Sequence, residues 1–297
     1  MNVRAIPRAA TLNLGDLASL TKPRLSSLVL CTLAGGMWLA PGELSVGKWL
    51  GTLLGTAGTV GAANALNCWL ERDRDRLMAR TRQRPLPSGR MEPAVALTFG
   101  IGLAALSLPV LALGSNLLTT SLGLLALVSY VGAYTPLKPR SAAAMLVGAI
   151  PGALPSLMGW TAVTGRVGAG GLILFGILFA WQMPHFLSIA LFREDEYRSA
   201  GVRAMPLVYG DRATRGWMLG WTLLLVPVSL LLVPLGMAGT LYFVVAVLLG
   251  GAFLALVGRG VVLGEGKAWA RQVFLFSLIY LAGLFGALLL SARAHAA

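Results

Sequence analysis

Long apolar runs separated by short charged loops organise this chain from end to end. Nine stretches approach the roughly 20 residues that a helix needs to cross hydrocarbon: 25–42, 49–70, 93–113, 116–134, 142–163, 169–192, 216–235, 239–258 and 272–291. Only tight turns fit around Gly114-Ser115 and around Gly236, so the neighbouring runs there are expected to form helical hairpins. Prolines punctuate several runs, Pro151, Pro155 and Pro184 among them, and Pro184 is placed to kink its helix near one end. The pattern predicts an all-α polytopic bundle forming one domain over 1–297, with a short leading segment (1–20) and a short tail (292–297).

Charge gives the bundle a direction. If the N-terminus is cytoplasmic, the inner segments are 1–24, 71–92, 135–141, 193–215 and 259–271. All but three of the 24 Lys and Arg then lie inside, the exceptions being Lys48, Arg166 and Arg293. Basic residues favour cytoplasmic loops, and one missed helix would reverse every later loop, so nine spans with the N-terminus inside is the expected topology. The same bias accounts for the net charge of +13 without any nucleic-acid partner. Charged residues make up 12% of the chain, against about a quarter in soluble domains, and no polar stretch is long enough to form one. Arg4, Arg8, Lys22 and Arg24 precede the first run, which lacks a small-residue cleavage site and is expected to stay as a helix. Cys31 and Cys68 lie in apolar runs, where they serve as small hydrophobes. The 37 glycines suit close helix contacts.

Acidic residues where the second run ends require a reason, because a carboxylate at bilayer depth costs about 3 kcal/mol. In NALNCWLERDRDRLMARTRQRPLPSGR (64–90), Asn67, Glu71 and Asp75 are spaced i, i+4, i+8 and so share a helix face, with Asn64 one turn earlier. Neighbours in that row are about 6 Å apart along the axis, which lets their oxygens converge on hard cations or on a cation-bound diphosphate. The bland alternative is a solvated helix end in which Glu71, Asp73 and Asp75 pair with Arg72, Arg74 and Arg76. The inward Asn residues and the following Arg80, Thr81, Arg84 and Pro85 argue for chemistry: Mg²⁺ takes carboxylate, amide and phosphate oxygens, and arginine grips phosphate with paired donors. Three further inner segments add charge: LTKPR with Lys22 and Arg24, YTPLKPRS with Tyr134, Lys138 and Arg140, and FREDEYR with Arg193, Glu194, Asp195, Glu196, Tyr197 and Arg198. Each basic residue alone reads equally well as an orientation signal. The two halves of the chain are loosely alike, each with a basic and acidic inner loop after an even-numbered run.

These motifs resemble the UbiA superfamily of intramembrane prenyltransferases, and within it most closely the branch that farnesylates protoheme. The resemblance rests on LTKPR (20–24), the N-x-x-x-E-x-x-x-D frame, M-x-R-T-x-x-R-P-L through Leu86, YTPLK (134–138), and WQMPHF with FREDEY and AG (181–201). It implies a nine-helix bundle in the cell inner membrane with its site on the cytoplasmic side, taking farnesyl diphosphate and heme b to heme O. Asn67, Glu71 and Asp75 would hold Mg²⁺ on the diphosphate, with Asp195 and Glu196 as further metal ligands. Lys22, Arg24, Arg80, Arg84, Lys138 and Arg193 would bind the diphosphate. The middle position is Asp in many relatives, and Glu71 keeps its charge on a longer arm. FREDEYRSA lacks the D-x-x-x-D pair of the wider superfamily, although Glu196 matches the acid before the tyrosine. Tyr134 and Tyr197 would line the allylic cation, and Trp69, Trp181 and Phe186 lie at similar depth. His185, the only histidine besides His295 in the tail, would contact the heme, through its iron or a propionate. The resemblance also suggests contact with heme A synthase, which would consume the product.

Two other readings compete. Prenyl transfer to an aromatic acid or quinone precursor shares the first motif and lacks only the heme-branch pieces. An ion transporter would place carboxylates near mid-depth and show symmetric repeats, whereas nearly all acids here gather at one boundary.

Overall fold

The computed structural model describes residues 13–294, so Arg4, Arg8 and His295 lie outside the described residues. Among those residues every regular element is helical. Short α1 (Leu14–Leu20) leads into α2 (Pro23–Leu39), α3 (Val46–Asp75) and α4 (Pro93–Gly114). Helix α5 (Leu117–Val128) runs through a π-helical segment (Ser129–Tyr134) into α6 (Thr135–Leu137). Then follow α7 (Ala144–Thr164), α8 (Ala169–Phe192), short α9 (Glu194–Ser199), α10 (Met205–Leu230), α11 (Thr240–Leu263) and α12 (Lys267–Ala294).

Six of these rods are long and apolar enough to cross a bilayer: α4, the continuous 117–137 rod, α7, α8, α11 and α12. This is a multi-pass membrane protein. The other three expected runs fall on helices that miss that standard for visible reasons. Helix α2 has 17 residues, α3 dilutes its apolar face with glycine, threonine and asparagine, and α10 begins in polar sequence. It starts 11 residues before the expected 216, because Gly210 (φ 79°, ψ 166°) joins a short leading piece to the long rod across a kink. Pro184 lies inside α8, which continues through it as one helix.

Helices α7 and α8 form the centre: 61% and 50% of their apolar windows are buried, against 17 to 33% for the other four rods. Leucines and valines elsewhere face outward, Leu106, Leu248 and Val262 among them, as a lipid-contacting surface requires. A large apolar cluster joins α8, α10, α11 and α12 around Tyr242, Phe253 and Tyr280. Its polar tips are satisfied, since Tyr242 Oη donates to the Ser229 carbonyl at 2.8 Å and Tyr280 Oη lies 2.9 Å from Ser229 Oγ.

With no hydrophobic drive between helices in lipid, close contact depends on small residues. Gly51 and Gly55 of α3 press on the backbone of Gly114 and Leu111 in α4. Gly36 of α2 and Gly159 of α7 do the same for the second pair. A Cβ at Gly36 would meet the Ser156 carbonyl oxygen at 2.1 Å, and one at Gly159 would meet that of Leu33 at 2.1 Å. These contacts fix α2, and with it Lys22 at its start, against the centre.

Candidate active site

Helix α3 continues past its last apolar residue for another turn, to Asp75, and that extension carries the site. Asn64, Asn67, Glu71 and Asp75 are all buried, at 1 to 7% exposure, on one helix face. Asp73, on another face, has a 69% exposed side chain and pairs loosely with Arg72 at 3.8 Å and Arg76 at 3.7 Å. The solvated-end reading therefore describes Asp73 and fails for Glu71 and Asp75.

Each of the three predicted ligands meets a cation delivered by a different segment. Lys22 Nζ donates to Asn67 Oδ1 at 2.8 Å. Lys138 Nζ donates to Glu71 Oε1 at 2.9 Å, and Arg84 Nη1 donates to Asp75 Oδ2 at 2.7 Å. Thr81 Oγ1 also bonds the Asp75 carbonyl at 2.8 Å, so the loop after α3 folds back with Leu86 and Met91 packed beside Cys68 and Leu20. The consecutive features of R-T-x-x-R-P-L thus have separate tasks: Thr81 caps the helix, Arg84 pairs, and Leu86 anchors.

Lys22 is the one described residue other than glycine with positive φ (49°). Pro23 at the first turn of α2 disfavours right-handed helical geometry in the residue before it, and a left-handed non-glycine residue costs about 1–2 kcal/mol. Here the strain sits in the residue whose side chain reaches Asn67. Burial pushes the Lys22 ammonium below its usual value, with Arg84 and Lys138 adding to that effect. Lys138 goes the other way: burial opposes its charge, but Tyr134 and Glu71 hold its pKa above the ordinary lysine value.

The π-helical segment brings a further partner to the row. Pro136 has no N–H to donate to Gly132, and in this segment the Thr135 N–H bonds the Tyr130 carbonyl, five residues back. Thr135 Oγ1 also donates to that carbonyl at 2.8 Å and accepts from Asn67 Nδ2 at 3.1 Å. Asn67 is thereby oriented from both ends, its amide by Thr135 and its oxygen by Lys22. Tyr134 packs over Gly148 and lies 5.3 Å from Tyr130, centroid to centroid.

The second acidic segment sits differently. Tyr197 packs on Met78 with Ala200 and Val202, which ties α9 to the loop after α3. Glu196 pairs with Arg193 at 2.7 Å, and Glu194 pairs with Arg198. The Asp195 carboxylate is 79% exposed and is bonded by Lys267 at 2.6 Å; that hydrogen bond, with the Lys267 charge, holds its pKa below the usual carboxylate range. The structure thus sets Lys22, Lys138 and Arg84 as successive partners along the Asn67, Glu71 and Asp75 row. Arg193, Asp195 and Glu196 stand apart from its hydrogen bonds, as do the exposed Arg24 and Arg80. No group of three or more His, Cys, Asp or Glu able to hold a metal occurs among the described residues. Two carboxylates and an amide remain, a set that suits Mg²⁺ when phosphate and water complete its shell.

His185 lies in α8 away from this row. Its Nδ1 is 2.8 Å from Ser277 Oγ of α12, and its ring stacks on Trp181 at 4.7 Å and meets Phe274 at a tilt at 4.9 Å. Sequence reasoning missed Thr135 and Ser277. The hydroxyl beside the proline in YTPLK was a usable signal for Thr135; nothing local marks Ser277, which matters only because α12 packs on α8.

A buried carboxylate and amide row at the end of an apolar helix, ringed by lysine and arginine, is the arrangement expected of the family whose sequence profile matches residues 28–279, the UbiA prenyltransferase family. The chain belongs to that family. It is 62% identical over 292 residues to the protoheme IX farnesyltransferase of Myxococcus xanthus (strain DK1622), covering 98% of each chain. It is 56% identical over 278 residues to the protein of the same name in Anaeromyxobacter dehalogenans (strain 2CP-C), covering 94% of each. Among solved structures, the fold is shared with digeranylgeranylglyceryl phosphate synthase at TM-score 0.81 and 19% identity, over 95% of this chain and 99% of that one. A UbiA homolog from Archaeoglobus fulgidus bound to DMAPP and Mg2+ superposes at TM-score 0.66 and 17% identity, over 92% and 99%.

Proposed function

We propose that this chain transfers the farnesyl group of farnesyl diphosphate to a vinyl group of heme b, giving heme O. In this reading it is a nine-span protein of the cell inner membrane, N-terminus cytoplasmic, with its site on the cytoplasmic side. The observation that carries the chemistry is the buried Asn67–Glu71–Asp75 row with a cation on each member. The acceptor rests on the relatives named above, two of them more than half identical over nearly the whole chain.

In the reaction the allylic C–O bond breaks and diphosphate leaves with the electron pair. The vinyl π electrons form the new C–C bond, and water captures the resulting cation with loss of a proton, leaving a hydroxyethylfarnesyl substituent. Diphosphate is a poor leaving group while its charge is unneutralised. Mg²⁺, held by Asn67, Glu71 and Asp75, would supply charge neutralisation there. Lys22, Arg84 and Lys138 already lie along the same row. Exchanging their carboxylate and amide partners for phosphate oxygens puts three cations where negative charge grows, the electrostatic mode of catalysis. Asp195 and Glu196 remain candidates for a second metal if α9 turns toward the row, and Arg24, Arg80 and Arg193 for the outer diphosphate oxygens. Tyr134 and Tyr197 would face the allylic cation, and the surrounding apolar helices exclude water until C–C bond formation. His185 would hold the heme iron.

The test offers the detergent-purified protein farnesyl diphosphate with either heme b or 4-hydroxybenzoate and weighs the products. A farnesylated heme carrying one added water is expected; a prenylated benzoate alone would move the chain to another branch of the family. Asp75→Ala should abolish turnover in folded protein, and full activity in that variant would defeat the metal assignment.

A further inference from the structure

The seam between α8 and α12 contains a chain of contacts that the diphosphate site does not use. Ser277 Oγ donates its only proton to the Phe274 carbonyl at 2.6 Å. Its 2.8 Å contact with His185 Nδ1 leaves Oγ free to accept from an imidazole Nδ1–H. In that tautomer Nε2 carries the lone pair. Trp181 Nε1 donates to the Ser277 carbonyl at 2.7 Å, and the Trp181 and Phe274 rings pack against the imidazole, so its plane is set. Below His185, Phe274 meets Phe192 edge-on at 5.7 Å. The Arg271 guanidinium lies over the Phe192 ring at 5.8 Å. Arg271 is six residues before Ser277, about 9 Å along the axis, and exposed at the charged end of the bundle.

We propose that α12 supplies half of the heme site: Ser277 positions His185 so that Nε2 presents its lone pair to the iron, and Arg271 takes a propionate. This rests on the reading of heme b as acceptor. The chemistry of that ligand matches the seam: a flat apolar ring beside Trp181, His185 and Phe274, with two carboxylates reaching the polar boundary. A ligand histidine is held by a hydrogen bond from its other nitrogen, and Ser277 Oγ stands where it can accept that bond. Arg271 offers the forked donor set that suits carboxylate, and among the described residues no carboxylate is paired with it.

The experiment titrates ferric heme b, and separately its dimethyl ester, into the full-length protein in detergent and follows the visible spectrum. Binding of farnesyl thiodiphosphate reports that each variant is folded with its diphosphate site intact. Ser277→Ala should weaken heme binding about 10-fold and alter the iron spectrum, while Ser277→Thr, which keeps the hydroxyl, should restore both. Arg271→Gln should weaken binding of the free acid by about 5- to 10-fold and leave both the spectrum and the ester's affinity unchanged. If His185→Ala leaves the iron spectrum as in wild type, the histidine reading itself falls. If His185→Ala changes it and Ser277→Ala does not, or if Ser277→Thr fails to restore it, the role of Ser277 is wrong. Equal losses for acid and ester in Arg271→Gln would remove the propionate assignment.

Discussion

Gly36→Ala tests whether the cations along the proposed site depend on helix spacing far from them. The new Cβ would sit 2.1 Å from the Ser156 carbonyl oxygen of α7, against 3.4 Å for ordinary contact, a deficit of 1.3 Å. The obstacle is backbone in the middle of a helix, so it cannot turn aside as a flexible side chain could. Helix α2 must therefore move outward, and Lys22 at its N-cap moves with it. Overpacking of this kind costs about 1–3 kcal/mol, and a misplacement near 1 Å at a reacting centre costs about 100-fold in rate. Because Lys22 is some 20 Å along the helix from Gly36 and its side chain can partly follow, a turnover loss of about 10- to 100-fold is expected. Gly159→Ala meets the Leu33 carbonyl oxygen at the same distance from the other side and should behave alike. Gly102 and Gly220 have no neighbour within 4 Å of such a Cβ, so Ala there supplies matched controls. Thermal unfolding of detergent-purified protein and product formation from farnesyl diphosphate and heme b are the two measurements. If Gly36→Ala matches Gly102→Ala in both, the coupling of α2 spacing to the site is refuted.

Other expected outcomes follow from the row itself. Glu71→Asp should keep roughly a tenth of wild-type turnover, whereas Glu71→Gln should lose about 100-fold, because the charge facing Lys138 is gone; the reverse order in steady-state assays would argue against a charge requirement. Asp73→Ala should change turnover by less than about 2-fold, since that carboxylate is exposed and only loosely paired. Thr135→Val should reduce turnover by about 10-fold by freeing the Asn67 amide, with Thr135→Ser restoring it; equal losses in both would assign Thr135 to packing. EDTA should stop the reaction, with Mg²⁺ restoring it better than Ca²⁺, whose larger, looser shell fits two carboxylates and an amide poorly.

Much of this architecture was legible because lipid leaves a chain few options: every apolar run must satisfy its backbone internally, so run length announces a helix. Residues 169–192 were bounded to the residue by that rule. The rule failed at α10, where Asp211, Arg212 and Arg215 interrupt the apolar signal and a kink at Gly210 hides the true start. Within the site, i, i+4 spacing sufficed for Asn67, Glu71 and Asp75, because a helix converts sequence distance into a shared face. It could not choose among the basic residues. Lys22, Arg84 and Lys138 join the network while Arg24 and Arg80, in the same motifs, do not, and that choice depends on a left-handed Lys22, a loop folded back by Thr81, and a π-helical turn. None of these follows from residue type alone.

The pairing of every row member with a cation has an energetic reason beyond binding. Two carboxylates buried at 1 and 7% exposure would be strongly unfavourable if left unpaired, so an apo site needs internal counter-charges. Lys138 and Arg84 serve as those counter-charges, while Lys22 satisfies the amide oxygen. In the proposed reaction the entering magnesium diphosphate brings both signs at once. Its metal can take the oxygens as its phosphates take the lysines and the arginine, so the exchange leaves no buried charge uncompensated. A free diphosphate would strand the carboxylates, and a free cation would strand the lysines. The network should therefore favour the complex over either part, and equilibrium dialysis can measure this: farnesyl thiodiphosphate should bind at least about 10-fold more tightly with Mg²⁺ than with EDTA. Equal affinity under both conditions would mean that the row does not exchange partners in this way.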